Sequence, residues 1–291
     1  MKTGLILEGG GMRGMFTMGV LDVWMEQGIR FDAAIGVSAG AVFGCNYKSG
    51  QIGRAIRYNV RFCKDKRYCS LRSLLRTGNL FHADFCYHTV PEQLDLFDDA
   101  AFARNPMAFY VVATDLETGE AVYRRIDRIE KDSLEWFRAS ASMPLVSRPV
   151  ELEGRKYLDG GIADSIPVRY FESIGYTANV VVLTQPRGYR KSRNRSIPFL
   201  RLALGKYPRT VEAMRRRHEV YNGTLDHILQ QEATGHCFVV CPDRPLDIGR
   251  VERDPDRLRA VYELGRSVGE RSLDGVQNFL SRSSAKGEAS H

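Results

Sequence analysis

Short apolar runs alternate with amphipathic stretches in the first fifty residues. Leu5 to Leu7 and Ala33 to Val37 are apolar runs of strand length, each followed by small residues that permit a tight turn. From Arg13 to Gln27 apolar residues recur near helical spacing, and Gly28 is typical of a helix C-terminus. The small-residue segment Ala39 to Gly44 predicts a closely packed helix. The pattern therefore predicts two consecutive units of strand, turn and helix.

The same alternation continues towards the C-terminus. Phe109 to Thr114 and Ala121 to Ile126 flank a Glu-Thr-Gly-Glu turn and predict a hairpin. Val180 to Thr184 and His236 to Cys241 predict further strands, and Asp254 to Leu280 contains a final long helix. We predict an α/β fold in which a mostly parallel central sheet carries helices on both faces.

The chain contains no internal repeat and no low-complexity linker, which predicts a single domain over residues 1–280. Within it we expect a core at 1–185, a basic helical insertion at about 187–232, and a C-terminal strand and helix at 236–280. Residues 281–291 are rich in Ser, Ala, Lys and Gly and predict a flexible tail.

The amino-acid composition indicates the class of protein. At 43% hydrophobic and 26% charged residues, the 291-residue chain is typical of a globular protein that buries a full core. The apolar run near Met1 is too short for a signal peptide, and no stretch approaches a membrane span, so we expect a cytoplasmic protein. Its six cysteines lack metal-binding spacing, so we expect reduced thiols and no metal site.

The net charge of +7 is unevenly distributed. Between Arg187 and Arg217 there are eleven basic residues and one acidic residue, and between Arg54 and Arg76 there are eight and one. The rest of the chain is therefore acidic. Apolar residues from Ile197 to Leu204 interrupt the first basic stretch. That stretch is either a solvated insertion or a surface that contacts anionic membrane peripherally.

The pentapeptide Gly36-Val37-Ser38-Ala39-Gly40 joins a predicted strand to a predicted helix. In a nucleophile elbow the turn is so sharp that the flanking positions must lack side chains, and the serine hydroxyl is exposed above the sheet. A glycine-rich helix N-terminus with a capping serine would have the same Gly-x-Ser-x-Gly pattern. The buried strand before Ser38 and the small-residue helix after it favour the nucleophile.

A second glycine motif, Gly9-Gly10-Gly11-Met12-Arg13-Gly14, also follows a strand and precedes a helix. Its amide groups and the helix dipole form an anion site, suited to a phosphate or a developing oxyanion. The spacing also fits a dinucleotide-binding loop, which requires an acidic residue at the C-terminal end of the second strand. Asp32 lies at that strand's N-terminal end, and Ser38 follows its C-terminal end.

The third motif is Asp159-Gly160-Gly161, which follows a predicted strand or turn at Arg155 to Leu158. On its own, Asp-Gly predicts a simple turn. Together with Ser38 it indicates a candidate catalytic role for Asp159, because a serine nucleophile needs a base to accept its proton.

These three motifs, in this order, resemble those of the patatin-like phospholipases, serine lipid acyl hydrolases with a Ser-Asp dyad. The resemblance extends from the N-terminus to about Thr184. It includes the blocks at residues 139–144 and 158–167 as well as the glycine loop and the elbow. It implies a three-layer α/β fold and hydrolysis of acyl esters, with a phospholipid or another acyl ester as substrate and no cofactor.

The resemblance also implies roles for individual residues. Ser38 would be the nucleophile and Asp159 the general base. The elbow would include Gly36 and Gly40, the aspartate motif would include Gly160 and Gly161, and the oxyanion hole would be formed by Gly9, Gly10, Gly11, Arg13 and Gly14. The family's loop usually opens with Asp, and here Glu8 stands in that place. We expect this change to be tolerated, because backbone amides would bind the oxyanion.

Two other function classes remain open at this point. The order of Ser38, Asp159 and then His218, His227 or His236 matches an α/β-hydrolase esterase with a Ser-Asp-His triad, although only one strand precedes Ser38. Alternatively, the Gly9–Gly14 loop would bind a nucleotide or phosphate. The basic stretches lack a stacking platform or a known nucleic-acid motif, so no nucleic-acid partner is expected.

Overall fold

A mixed sheet of eight strands forms the centre of the molecule in a computed structural model that describes residues 1–130 and 132–288. The strands are β1 (Lys2–Leu7), β2 (Ala33–Val37), β3 (Ala108–Asp115), β4 (Ala121–Arg125), β5 (Val150–Leu152), β6 (Arg155–Asp159), β7 (Tyr176–Val182) and β8 (Cys237–Val240). They are arranged in the order β5-β6-β3-β2-β1-β7-β8, and β4 pairs with β3. Parallel pairing joins five neighbouring strands, β3, β2, β1, β7 and β8. Strands β4, β5 and β6 pair antiparallel with their neighbours.

Helices cover both faces of the sheet. They are α1 (Gly14–Glu26), α2 (Ala39–Ser49), α3 (Arg54–Phe62), α4 (Leu71–Thr77), α5 (Asp99–Arg104), α6 (Ser133–Ser140), α7 (Val168–Ser173), α8 (Ile197–Ala203), α9 (Pro208–Ala233), α10 (Pro255–Arg271) and α11 (Leu273–Glu288). A π-helical segment, Phe85–Leu94, lies between α4 and α5.

The two faces follow from the alternation of side chains along each strand. In β1, Leu5 and Leu7 belong to a core shared with α1, α2, α3, α6 and α10. Ile6 belongs to the opposite core, which α7 and α9 complete. Both faces of the central strands are therefore apolar. The predicted three-layer α/β fold, with a central sheet between helices, is confirmed.

The predicted hairpin is also confirmed, since β3 and β4 pair antiparallel around a turn in which Gly119 has a φ of 70°. The segment Asp254–Leu280, predicted to contain the final long helix, contains α10, which is followed without a loop by a second helix, α11. The chain breaks at Ser272, whose hydroxyl bonds the carbonyl of Gly269 at 2.9 Å, and continues as α11. Where the sequence predicts a tail from residue 281, α11 extends to Glu288. Residues 289–291 lie outside the described chain.

The register of β3 brings two strand ends together. Val37, the last residue of β2, pairs with Val112, and Asp159, the last residue of β6, pairs with Ala113. Because β4 occupies the other side of β3 from Tyr110 to Thr114, β2 and β6 follow one another along the same side. Their C-terminal ends therefore meet near the middle of β3.

The predicted basic insertion contains α8 and α9. Helix α8 is amphipathic, with Phe199 and Leu202 exposed by 68% and 88% while Leu200 is buried. Among the residues that the structure describes, no helix is both long enough and apolar enough to cross a bilayer.

Candidate active site

Ser38 occupies a sharp turn between β2 and α2. Its φ of 55° and ψ of −123° lie outside the regions that residues with side chains favour. A Cβ on Gly36 would lie 2.4 Å from the carbonyl oxygen of Gly40, and one on Gly40 would lie 2.4 Å from that of Leu7. Only glycine fits at either position. The Gly-x-Ser-x-Gly pattern is thus a steric requirement of this turn.

Backbone hydrogen bonds fix the position of the elbow. The amide of Ser38 donates to Oγ of Ser140 at 2.9 Å, and the carbonyl of Ser38 accepts from the amide of Val42 at 3.0 Å in the first turn of α2. The carbonyl of Ser142 accepts from the amide of Asp159 at 2.8 Å. Ser140 and Ser142 lie in the block at residues 139–144. Sequence reasoning noted that block without assigning these two contacts.

Asp159 lies at the end of β6 and faces Ser38. Its Oδ1 accepts from the amide of Gly161 at 2.8 Å, and Asp159 and Ser38 line the same cavity. A Cβ on Gly160 would lie 2.2 Å from the carbonyl oxygen of Val112 in β3. Absence of a side chain at Gly160 therefore allows the chain to pass close to β3 as it leaves the sheet.

The environment of Asp159 favours its neutral form. Burial raises the pKa of Asp159 above the usual value, and this effect outweighs the hydrogen bond from Ser38 and the charge of Arg217, both of which lower it. A carboxylate that is ionised in such a site binds a proton more tightly than a solvated one. Asp159 is consequently a better proton acceptor than an exposed aspartate.

The glycine loop lies against the elbow. A Cβ on Gly9 would lie 3.1 Å from Cβ of Ser38, and Gly11 has a φ of 59°. Within the described chain, the amides of Gly9, Gly10 and Gly11 donate no hydrogen bond to another protein group. Three free donors beside a serine hydroxyl can bind an oxyanion.

Gly14, the last residue of the glycine motif, has a packing role in the structure. The amide of Gly14 bonds the carbonyls of Gly11 and Met12, and a Cβ on Gly14 would lie 2.8 Å from the ring of Phe43. Gly14 therefore packs α1 against α2, and its amide is not available to an oxyanion. The side chain of Arg13, in contrast, lines the cavity above Ser38.

Glu8 anchors the start of the glycine loop. It is buried, and its carboxylate accepts from the amide and hydroxyl of Thr184 at 2.6 and 3.1 Å and from the hydroxyl of Tyr221 at 2.7 Å. These bonds tie the loop to the end of β7 and to α9. Sequence reasoning did not identify Thr184 or Tyr221, because neither belongs to a local motif.

Two cavities reach Ser38 from different sides. One, of about 90 Å³, is lined largely by apolar side chains, including Met12, Val42, Phe43, Tyr58 and Tyr87. The other, of about 640 Å³, contains Asp159, the glycine loop and several basic side chains. The serine thus lies between an apolar pocket and a polar one.

The histidines of the triad alternative form their hydrogen bonds with residues other than Ser38 and Asp159, although His218 also lines the polar cavity. A ring nitrogen of His218 lies 3.1 Å from the carbonyl oxygen of Arg215, His227 pairs with Glu172 at 2.8 Å, and His236 contacts Thr234. No histidine in the described part of the chain hydrogen-bonds Ser38 or Asp159. The geometry therefore favours a two-residue arrangement.

Comparison with known proteins identifies two family models. The model for patatin-like phospholipase matches residues 5–172, and a domain of unknown function (DUF6363) matches residues 207–281. The uncharacterized protein YjjU of Escherichia coli is 31% identical, over 96% of this chain and 79% of its own length.

More distant relatives carry names that include an activity or a family. The uncharacterized NTE family protein Rv1063c of Mycobacterium tuberculosis is 26% identical, over 62% of this chain and 48% of its own length. The lysophospholipase nte1 of Aspergillus terreus is 25% identical, over 95% of this chain. This chain matches only 18% of the length of that fungal protein.

Proposed function

The chain belongs to the patatin-like phospholipase family, and from that premise we propose that it hydrolyses acyl esters of phospholipids or lysophospholipids. Ser38 is the nucleophile and Asp159 the general base. The observation that carries this proposal is the strained Ser38, held at a helix N-terminus in a cavity that it shares with the buried carboxylate of Asp159. A residue in such a backbone conformation persists where the surrounding structure imposes it, which is common at active sites.

Acylation would proceed in two stages. Asp159 accepts the proton of the Ser38 hydroxyl as Oγ forms a bond to the ester carbonyl carbon, and the carbonyl electron pair moves to oxygen. The amides of Gly9, Gly10 and Gly11 stabilise that oxyanion, each by about 3 kcal/mol. Collapse of the intermediate expels the alcohol, which takes the proton from Asp159.

Deacylation repeats these steps with water. Asp159 accepts a proton from water as the oxygen attacks the acyl-enzyme, and the collapsing intermediate releases the fatty acid. Ser38 regains the proton from Asp159. The smaller, apolar cavity would hold the acyl chain, because transfer of methylene groups from water into it is favourable.

A nucleotide- or phosphate-binding function for the Gly9–Gly14 loop is the alternative. Against it, the carboxylate of Glu8 lies at the start of the loop, and Ser38 rather than an acidic residue follows β2. A ribose-binding acid is expected at the end of β2 in a dinucleotide-binding domain. The hydrolase proposal gives Ser38 a role as nucleophile at this position, and the binding alternative gives it none.

The test of this function is the identification of products. The wild-type protein and the Ser38→Ala variant are incubated with defined phospholipids and lysophospholipids, and fatty acids are measured by mass spectrometry. We expect fatty acid release by the wild type alone. Absence of release by the wild type, or equal release by Ser38→Ala, would contradict the function.

We further propose that α8 contacts the membrane that supplies the substrate. Phe199 and Leu202 are exposed on this helix, and Ser196 and Leu200 line the mouth of the polar cavity. Exposed apolar side chains flanked by basic residues favour the surface of an anionic bilayer. Helix α8 would then hold the cavity open towards lipid.

Substitution of both exposed residues tests this contact. We expect Phe199→Ser/Leu202→Ser to lower binding to vesicles rich in anionic lipid by about tenfold, since two apolar side chains are lost from the interface. The measurement is co-sedimentation at low salt. Ile52→Ser/Leu96→Ser is the matched control, because it removes two exposed apolar side chains outside the basic segment. Equal losses in the two variants would argue against α8.

A further inference from the structure

Six Arg and Lys side chains line the polar cavity beside Ser38: Arg193 and Arg195, and four that come from separate parts of the chain. Arg13 follows the glycine loop, Lys191 lies in the segment after β7, Arg217 is on α9, and Arg250 precedes α10. Only Arg13 belongs to a motif recognised in the sequence. Arg250 also lines the apolar cavity, as do Ser38 and Gly11, so the cationic surface adjoins the proposed reaction centre.

These four cations have no carboxylate of the described chain within salt-bridge distance, although Glu8 and Asp159 act on Arg13, Lys191 and Arg217 electrostatically from further away. Within the described chain, none of them forms a salt bridge, and the buried Nε atoms of Arg13 and Arg217 have no hydrogen-bond partner. Arg217 has one polar contact, from Nη2 to Oγ of Ser165 at 3.3 Å. Buried charges are normally paired, because desolvation of an unpaired charge is unfavourable.

The two carboxylates of the cavity are already engaged. One oxygen of Glu8 accepts from Thr184 and the other from Tyr221, and Oδ1 of Asp159 accepts from the amide of Gly161. Neighbouring arginines of the same basic segment behave differently. Arg187 pairs with Glu232, Arg190 with Asp226, and Arg215 with Glu212. What distinguishes the cavity cations within the described chain is that Arg13, Lys191 and Arg217 are partly buried without a salt bridge, whereas unpaired Arg201 and Lys206 of the same segment are exposed.

Lys191 is held in this position by the surrounding structure. Its amide and carbonyl bond the side chain of Asn222 at 2.8 and 3.1 Å, and its Nζ lies 4.1 Å from the ring centre of Tyr221. Burial, followed by the charge of Arg217, lowers the pKa of Lys191 to about 7. A bound anion would offset both unfavourable effects.

We infer that this cavity is a subsite for the phosphate of the substrate, and that it favours an acyl glycerophosphate whose phosphate is a monoester. Arginine forks match phosphate oxygens in geometry, and a phosphate monoester carries close to two negative charges near neutral pH. A choline-bearing phosphodiester has one negative charge and adds a cation to a cationic cavity. This inference rests on the proposed function and names its substrate class.

The test compares three soluble esters with the same hexanoyl chain: hexanoyl glycerol 3-phosphate, hexanoyl glycerophosphocholine and hexanoyl glycerol. For the wild type we expect kcat/KM for the phosphate monoester to exceed that for hexanoyl glycerol by at least about tenfold, with the choline ester between them. In Lys191→Met and in Arg217→Gln that ratio should fall towards one. The ratio is insensitive to a general loss of folded or active protein.

The controls remove the same charges from the same segment. Lys206→Met and Arg216→Gln change exposed residues that do not line the cavity, and both should retain the wild-type ratio. Equal kcat/KM for the phosphate and neutral esters in the wild type would overturn the inference and leave the hydrolase function intact. A ratio unchanged in Lys191→Met and Arg217→Gln would also overturn it.

Binding separates this inference from the chemistry. In a Ser38→Ala background, calorimetry should show hexanoyl glycerol 3-phosphate binding at least about tenfold more tightly than hexanoyl glycerol, and Lys191→Met should remove the difference. This result would support the subsite even if no ester were hydrolysed. Inorganic phosphate that binds as tightly as the phosphate ester would instead indicate a free-phosphate site and overturn the assignment to substrate.

Discussion

Ser38→Ala and Asp159→Asn are each expected to lower kcat on a short-chain nitrophenyl ester by about 10³-fold or more. The first removes the atom that forms the acyl-enzyme, and the second removes the group that accepts its proton. Losses of this size are usual when one member of a nucleophile–base pair is deleted. The measurement is the initial rate at saturating ester, with the protein quantified by its folded fraction.

Thermal unfolding distinguishes lost chemistry from lost structure. Because burial raises the pKa of Asp159 in the folded state, this group contributes stability at low pH that is lost as pH rises through the folded pKa. The contribution of Asp159 to the free energy of unfolding therefore falls as pH rises. Asn keeps an oxygen for the amide of Gly161 and carries no charge.

We therefore expect Asp159→Asn to unfold at the same temperature as the wild type or higher at pH 8, with a smaller difference at pH 5. An inactive Asp159→Asn protein that retains its melting temperature would support the general-base role. Wild-type turnover in either dyad variant would refute the dyad, and a strongly destabilised Asp159→Asn protein would contradict the account of its burial.

Gly36→Ala is expected to disrupt both the fold and the activity. Its Cβ would lie 2.4 Å from the carbonyl oxygen of Gly40 and 2.5 Å from Cα of Ala41, and both are backbone atoms that cannot rotate away. Overpacking of this kind destabilises by about 3 kcal/mol, which corresponds to a fall in melting temperature of about 5 °C or more. Displacement of α2 would also move Ser38 from the glycine loop, so kcat/KM should fall with it.

Gly223→Ala is the matched control for this prediction. Gly223 lies in the middle of α9, where an added Cβ would meet nothing within 4 Å. Alanine in a helix interior is favoured over glycine by about 0.5–1 kcal/mol, so this variant should be as stable as the wild type or more stable. If Gly36→Ala were as stable and active as Gly223→Ala, the close contact between β2 and α2 would be refuted.

Local patterns predicted the central strands well because their signals are short in range. An apolar run followed by glycine is sufficient to locate β1 and β2, and the turn at Gly119 locates the hairpin. The C-terminal helices were predicted less well. The periodicity of apolar residues continues through Ser272, whereas the break depends on a side-chain bond to the carbonyl of Gly269.

The polar surroundings of the site were beyond prediction for a related reason. Ser140 bonds the amide of Ser38, and Thr184 and Tyr221 bond Glu8, across separations of roughly 100 to 200 residues. Serine, threonine and tyrosine occur throughout the chain, and nothing in their immediate neighbours distinguishes these three. Gly14 is the opposite case: it belongs to a local motif, but in the structure it packs α1 against α2.

Residue types and short spacings are sufficient to identify the reactive groups of this protein: a serine between glycines, a glycine-rich loop, an aspartate before two glycines, and an excess of basic residues. Which of these groups meet depends on the fold, because β2 and β6 follow one another along β3. Among the described residues, the fold also places Lys191 and Arg217 in the cavity without a salt bridge while Arg187 and Arg190 pair with acidic residues of α9, because packing across distant parts of the chain determines which charges meet.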